Sequence, residues 1–139
     1  MKNKLTIIRG LPGSGKTTYA KRSYNCLILE NDMYHVRNGK YEWDKKNMEM
    51  AILWCMGTCR DALQHGMDVV VSNTFTKKKF VDAYRKIAEE TGVEFEVVRC
   101  TGEFENQHSV PKFVLESMKN GFEDYPGETI VRFNETAGE

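Results

Sequence analysis

Lys4-Leu5-Thr6-Ile7-Ile8-Arg9, running straight into Gly10-Leu11-Pro12-Gly13-Ser14-Gly15-Lys16-Thr17-Thr18, decides how the chain is read. The first six residues form an apolar strand, the next nine fit the pattern G-x-x-x-x-G-K-[ST], and Thr17 to Tyr24 can open a helix. Strand, glycine-rich loop and helix, in that order, are the setting in which this pattern cradles phosphate. The glycines let successive N–H groups turn inward, and the helix N-terminus adds the positive end of its dipole. Lys16 supplies a mobile charge to the β- and γ-phosphates, and the Thr17 hydroxyl can ligate magnesium. Leu11, Pro12, Gly13, Ser14, Gly15, Lys16, Thr17 and Thr18 are therefore the candidate ATP-binding residues, with Thr17 the candidate metal ligand. The bland alternative is a glycine-rich turn that merely joins a strand to a helix.

Outward from this loop, short apolar strands alternate with amphipathic helices, which implies a parallel sheet covered by helices. Further strands are expected at Cys26 to Leu29, Asp68 to Ser72 and Val93 to Cys100, with a fifth at Thr129 to Phe133. A long helix is expected from about Lys45 to His65, with Met48, Ile52, Cys55, Cys59 and Leu63 facing the core and Gly66 ending it. A second covers about Lys77 to Thr91, with Phe80, Tyr84, Ile87 and Ala88 inward. Val36 to Asp44 reads as a loop or short hairpin, Thr101 to Ser109 as a mobile loop, and Pro111 as the start of a last helix to about Asn120.

Ligands of an open parallel sheet bind beyond the carboxyl ends of its strands. That rule selects the phosphate loop, Glu30-Asn31-Asp32-Met33-Tyr34-His35 and Ser72-Asn73-Thr74-Phe75-Thr76. Asp32 is the candidate general base, since a carboxylate just past a strand end can accept a hydroxyl proton during phosphoryl transfer. Its other reading is a cap for the segment that follows, and Glu30 is a less favoured substitute base. A hydrolysing NTPase typically carries an acid after the third of these strands, whereas this chain has Ser72-Asn73. Asn73 and Thr74 can hydrogen-bond a substrate but cannot act as bases, which favours transfer to an organic hydroxyl over hydrolysis. His35 is a candidate for a substrate phosphate, and His65 caps a helix end. Lys77-Lys78-Lys79 reads better as a solvated helix start than as a nucleic-acid contact.

The 139 residues suit one domain with a real core, and 40% hydrophobic with 29% charged residues is ordinary for a soluble protein. No apolar run approaches a membrane span, and the first strand begins too early to leave room for a signal peptide, so a cytoplasmic protein is expected. Cys26, Cys55, Cys59 and Cys100 lack zinc-ligand spacing and read as reduced, buried thiols. Net charge is zero, yet residues 1–25 hold six basic and no acidic residues while 101–139 hold eight acidic and three basic. The basic end is expected to surround the phosphate loop. Nothing resembles the basic stripe of a protein that grips long nucleic acid, so any polynucleotide would be held near one end.

The phosphate loop, then Asn31-Asp32-Met33-Tyr34, Val70-Val71-Ser72-Asn73-Thr74 and Asn106-x-His108-x-Val110-Pro111, together resemble the polynucleotide-kinase-like P-loop kinases, among them the kinase domain of phage polynucleotide kinase. Asn38-Gly39-Lys40-Tyr41-Glu42-Trp43-Asp44 is similar to related small modules of that group. The resemblance, over about Leu5 to Phe122, implies a three-layer α/β/α, adenylate-kinase-like fold with four or five parallel strands. It also implies magnesium-ATP as donor, an aspartate base at Asp32, a 5′-hydroxyl of DNA or RNA as acceptor, and a mobile lid at about 101–111. Two features depart from that pattern. His35 stands where an arginine holds substrate phosphate, and Thr101 to Pro111 contains no arginine or lysine for the transferring phosphoryl group. Arg99, Lys112 or Arg132 are the candidate replacements. A kinase for a small molecule or nucleoside, and a nucleotide-binding regulatory module with little turnover, are the alternatives; oligomeric state is not readable.

Overall fold

The computed structural model describes residues 2–37, 40–41, 45–102 and 111–132. The elements run β1 (Lys4–Arg9), α1 (Lys16–Ser23), β2 (Leu27–Leu29), α2 (Asp32–His35), β3 (Val36–Arg37), β4 (Lys40–Tyr41), α3 (Lys45–Gln64), β5 (Val69–Ser72), α4 (Lys78–Thr91), β6 (Glu94–Cys100), α5 (Lys112–Asn120) and β7 (Thr129–Val131). Five strands form one parallel sheet in the order β2-β5-β1-β6-β7, and β3 and β4 pair as a small antiparallel hairpin. The expected hairpin and the expected fifth strand are both present. The sheet, with α3 and α4 on one face and α1 on the other, makes the expected α/β fold.

Strand β1 shows why the sheet is central. Leu5 pairs with Val69 on one side and Phe95 on the other, and the register runs on to Ile8 opposite Ser72 and Arg9 opposite Arg99. Successive side chains of a strand alternate faces. Leu5 and Ile7 accordingly pack with Val69, Val71 and Val97 beneath the α3 and α4 residues Cys55, Cys59, Val81 and Ile87. Ile8 faces the other way, with Val70, Val98 and Cys100 against Ala20 of α1. Burying a Leu, Ile or Val side chain contributes about 1.5–3 kcal/mol, so a strand buried on both faces is held firmly.

Two helix faces differ from expectation. Met48 and Ile52 are exposed, and the buried stripe of α3 is instead Ala51, Cys55, Cys59, Ala62 and Leu63. Helix α3 packs against α2 as well as against β5 and α4, and its inward stripe runs through Ala51 rather than through Met48 and Ile52. On α4 Val81 is buried and Phe80 is exposed, so the inward face runs through Val81, Tyr84, Ile87 and Ala88. Gly92 takes the left-handed cap of α4 at φ 72°. Pro111 precedes α5 as its N-cap at ψ 144° rather than occupying the first turn, as its extended backbone dictates. The four cysteines are free thiols, and three of them, Cys55, Cys59 and Cys100, are buried.

Candidate functional site

The phosphate loop leaves β1 at a point where only glycine fits. A Cβ on Gly10 would stand 2.4 Å from Ser14 Oγ and 2.6 Å from the Cys100 carbonyl oxygen. Gly13 and Gly15 then adopt φ of 81° and 92°, in the left-handed region that glycine enters without strain. The loop is tied at three points: Ser14 N–H donates to Leu11 O at 3.0 Å, Gly10 N–H to Thr74 O at 3.2 Å, and Gly102 N–H to Ser14 O at 3.1 Å. Helix α1 starts at Lys16 with no side-chain cap and no acidic residue in its first turn. Its first N–H groups are thus left for an anion. Ser14 Oγ is buried without a hydrogen-bond partner, and a phosphate oxygen would satisfy it. These residues fit a nucleoside triphosphate.

Lys16 folds back so that its ammonium donates to the Leu11 carbonyl at 3.0 Å. Burial lowers its pKa to about 8, against the opposing pull of Cys100, Glu30 and Asp32. Thr17 Oγ1 donates to Glu30 Oε1 at 2.8 Å. The donors gathered here are oxygens, the kind magnesium accepts.

Across from the loop, Asp32 is exposed and opens the one-turn helix α2. It is the acidic residue of that helix's first turn. His35 ends the same turn. The turn between β2 and α2 is held by Asn73, whose Oδ1 accepts the Asn31 N–H at 2.8 Å, and by Met33 N–H on Glu30 O at 3.1 Å. Asn73 N–H in turn donates to Ile8 O at 3.2 Å. Asn73 and Thr74, expected to meet substrate, thus use these groups to bind β2 and the phosphate loop to the end of β5. Asn31 Oδ1 is buried without a hydrogen-bond partner beside them.

The basic N-terminal segment is not a ring around the loop. Lys4 pairs with Glu96 at 3.1 Å, and Arg9 is fully buried. Arg9 donates from Nε and Nη2 to Phe75 O at 3.2 and 2.7 Å, from Nη2 to Glu123 O at 2.7 Å, and from Nη1 to Glu128 Oε1 at 2.7 Å. Phe75 accepts them from a left-handed backbone, φ 46°, with its ring edge-on to Tyr84 at 5.5 Å. Arg9 and Arg99 each lie 4.4 Å from the Phe122 ring centre. Arg99, one proposed substitute for a lid cation, is engaged by Asp124 at 2.5 Å and by Glu128 at 3.4 Å. It nevertheless lines a cavity of about 410 Å³ beside Gly10 to Ser14, together with Lys112, Leu115, Lys119 and Phe122.

The sequence reading missed Arg9 and Phe122 in this region. An arginine inside a strand buried on both faces was the available signal, since a buried guanidinium must find partners. His65 does cap its helix, with Nδ1 2.7 Å from Asp61 O. Lys77, rather than lying free in solvent, donates to Gly121 O at 2.6 Å. Residues 103–110 of the expected lid, with His108, and residues 42–44, with Trp43, lie outside the described residues. Among the described residues no helix is long and apolar enough to cross a membrane.

With this geometry in view, comparison with known proteins places the chain. A family described as an AAA domain matches residues 5–109, and the chain belongs to that family of P-loop kinase-like domains. The uncharacterized protein PM0531 of Pasteurella multocida is 31% identical over 144 residues, covering 91% of this chain and 80% of that protein. Among solved structures, the Mycobacterium tuberculosis APS kinase CysC in complex with AMPPNP and APS superposes with a TM-score of 0.62 at 15% identity, covering 97% of this chain and 90% of that one. A Pnkp1/Rnl/Hen1 complex gives 0.67 at 16% identity, covering 96% of this chain and 47% of the matched chain. These two likenesses are likenesses of fold.

Proposed function

We propose that the chain is an ATP-dependent phosphotransferase whose acceptor is a hydroxyl, the 5′-hydroxyl of DNA or RNA. The observation that carries this reading is the turn after β2 meeting the phosphate loop: Thr17 Oγ1 donates to Glu30 Oε1 at 2.8 Å, two residues before the exposed carboxylate of Asp32 at the start of α2. Gly13 to Thr18 bind the triphosphate through backbone N–H groups, and Lys16 leaves the Leu11 carbonyl to meet the β- and γ-phosphates. Asp32 accepts the proton of the acceptor hydroxyl as the new O–P bond forms and the β–γ bridging O–P bond breaks, releasing ADP. Magnesium, when bound at Thr17, offsets the negative charge of the phosphates. The cavity lined by Arg99, Leu115 and Phe122 adjoins the same loop and offers apolar and cationic surface to the nucleoside of the donor.

The resemblance around Asn31-Asp32-Met33-Tyr34 supports a polynucleotide end as acceptor, whereas the near-neutral charge and an APS-kinase-like fold also suit a small hydroxyl substrate. Radiolabelled ATP offered with 5′-hydroxyl oligonucleotides, nucleosides and small alcohols separates them. Label on the oligonucleotide, abolished by Asp32→Asn with ATP binding intact, is the expected result. Label on a small alcohol or nucleoside alone moves the acceptor class. ATP bound with no acceptor labelled leaves a nucleotide-binding regulatory module and rejects the transferase.

A further inference from the structure

Thr17 carries the hydroxyl on which the family pattern puts magnesium, and that hydroxyl already has a partner: its one hydrogen is directed at Glu30 Oε1, 2.8 Å away. A hydroxyl has one donor and two acceptor lone pairs. With the hydrogen engaged by a carboxylate, both lone pairs are left for a cation, and the adjacent negative charge makes the oxygen a better donor to it. Strand β5 lies between β2 and β1, and it ends in Ser72 and is followed by Asn73, neither of them acidic. Asn73 instead fixes the turn that follows Glu30, through its 2.8 Å bond from Asn31 N–H. The neighbouring strand thus provides the carboxylate that β5 does not. Thr17 follows Lys16 directly at the start of α1, so its bond to Glu30 places that carboxylate at the phosphate end of the loop and not on a remote surface. Among the described residues no three His, Cys, Asp or Glu side chains converge on one point. Thr17 and Glu30 therefore form a two-oxygen corner that the nucleotide's own phosphates would complete.

We propose that Glu30 is a positioning residue of the magnesium site: it orients the Thr17 hydroxyl toward the cation and couples cation binding to nucleotide binding. This rests on the reading of the loop as a magnesium-nucleotide site, and it assigns Glu30 a task other than proton acceptance, which stays with Asp32. Without the cation, the Glu30 carboxylate repels the triphosphate; with it, the same carboxylate favours the complex.

Calorimetric titration of the full chain with a non-hydrolysable ATP analogue, with magnesium and with a chelator, tests this without turnover. Wild type binds the analogue more tightly with magnesium. Glu30→Ala is expected to shrink that magnesium-dependent gain about 10–100-fold, the usual effect of removing a partner that orients a metal ligand. Metal-free affinity should hold or rise in the same variant. Glu30→Gln, which still accepts the Thr17 hydroxyl but lacks the charge, should fall between. Thr17→Ala should lose the gain too, and the double variant should be no worse than Thr17→Ala, since both act on one oxygen. Parallel weakening with and without magnesium would mark Glu30 as a scaffold residue and overturn the proposal, as would an undiminished gain in Glu30→Ala or additive losses in the double variant. Wild type that binds no nucleotide would reject the site reading itself, seen before any variant is compared.

Discussion

The side-chain oxygen of Asn73 accepts the backbone N–H of Asn31 at 2.8 Å, joining the end of β5 to the turn that carries Glu30 and Asp32. A hydrogen bond of this kind contributes about 1 kcal/mol to stability, which is small. Its larger effect is positional, because it sets where the exposed Asp32 stands relative to the phosphate loop.

Asn73→Ala should therefore separate stability from turnover. The melting temperature falls by only a few degrees' worth of about 1 kcal/mol, while phosphoryl transfer drops about 100-fold, the usual result of a small misplacement of a reacting group. Nucleotide affinity stays near that of wild type. Turnover that survives intact alongside the small stability loss would show that Asn73 does not position the turn.

Lys16 predicts a pH dependence whose sign follows from burial. Its folded pKa of about 8 lies below the ordinary 10.5, so the nucleotide-free protein carries a partly buried, destabilising charge at pH 7. Between about 8 and 10.5 the unfolded chain binds the extra proton, and this residue's contribution to stability rises with pH. Lys16→Met should accordingly stabilise the nucleotide-free protein at pH 7 and progressively less toward pH 10. Triphosphate binding needs the ammonium form, so binding above pH 8 should take up a proton, measurable by calorimetry in buffers of different ionisation enthalpy. Proton uptake that persists in Lys16→Met would assign it elsewhere.

Arg9 and Glu128, 2.7 Å apart and both nearly sealed from water, predict a stability effect far larger than a surface ion pair gives. Removing one partner of a buried pair typically destabilises by about 3–5 kcal/mol, since the other charge is left uncompensated. Arg9→Met and Glu128→Ala should each lower the denaturant midpoint accordingly. A change below about 1 kcal/mol in both would place the pair among ordinary surface contacts.

Gly10→Ala tests the close approach at the mouth of the loop. The added methyl meets the Cys100 carbonyl at 2.6 Å, and that oxygen belongs to the backbone of β6 and cannot swing away. We expect about 1–3 kcal/mol of destabilisation and a marked loss of nucleotide affinity. Gly66→Ala, at an open helix end with φ 83°, should cost stability without touching affinity. Equal nucleotide affinity in both variants would count against a specific role for Gly10.

Much of this was readable from residue order. The G-x-x-x-x-G-K-[ST] run located the loop, and the Val69-Val70-Val71 run and the 93–100 alternation located the flanking strands, because local period and glycine content are properties of neighbouring residues. The strand order was not readable, since pairings such as Ile7 with Val71 and Val97 span most of the chain. Nor was the fate of Arg9, which looks in the sequence like one more cation near a phosphate site and is instead enclosed by Phe75, Glu123 and Glu128. Met48 and Ile52 follow a helical period yet are exposed, since period alone carries no information about which side of the helix meets the core. Glu30 was named only as a substitute base, because spacing cannot tell a carboxylate that takes a proton from one that orients a neighbour's hydroxyl.

The order β2-β5-β1-β6-β7 also divides labour along the sheet. The Glu30–Asp32 turn follows β2 at one edge, the cavity with Arg99 and Phe122 adjoins β6 on the other side, and the phosphate loop leaves β1 between them. Under the proposed phosphotransferase reading, sequence change at the β2 edge retunes which hydroxyl is presented and leaves the phosphate loop and the cavity beside β6 as they are. A single scaffold so arranged can be redirected to new acceptors one edge at a time.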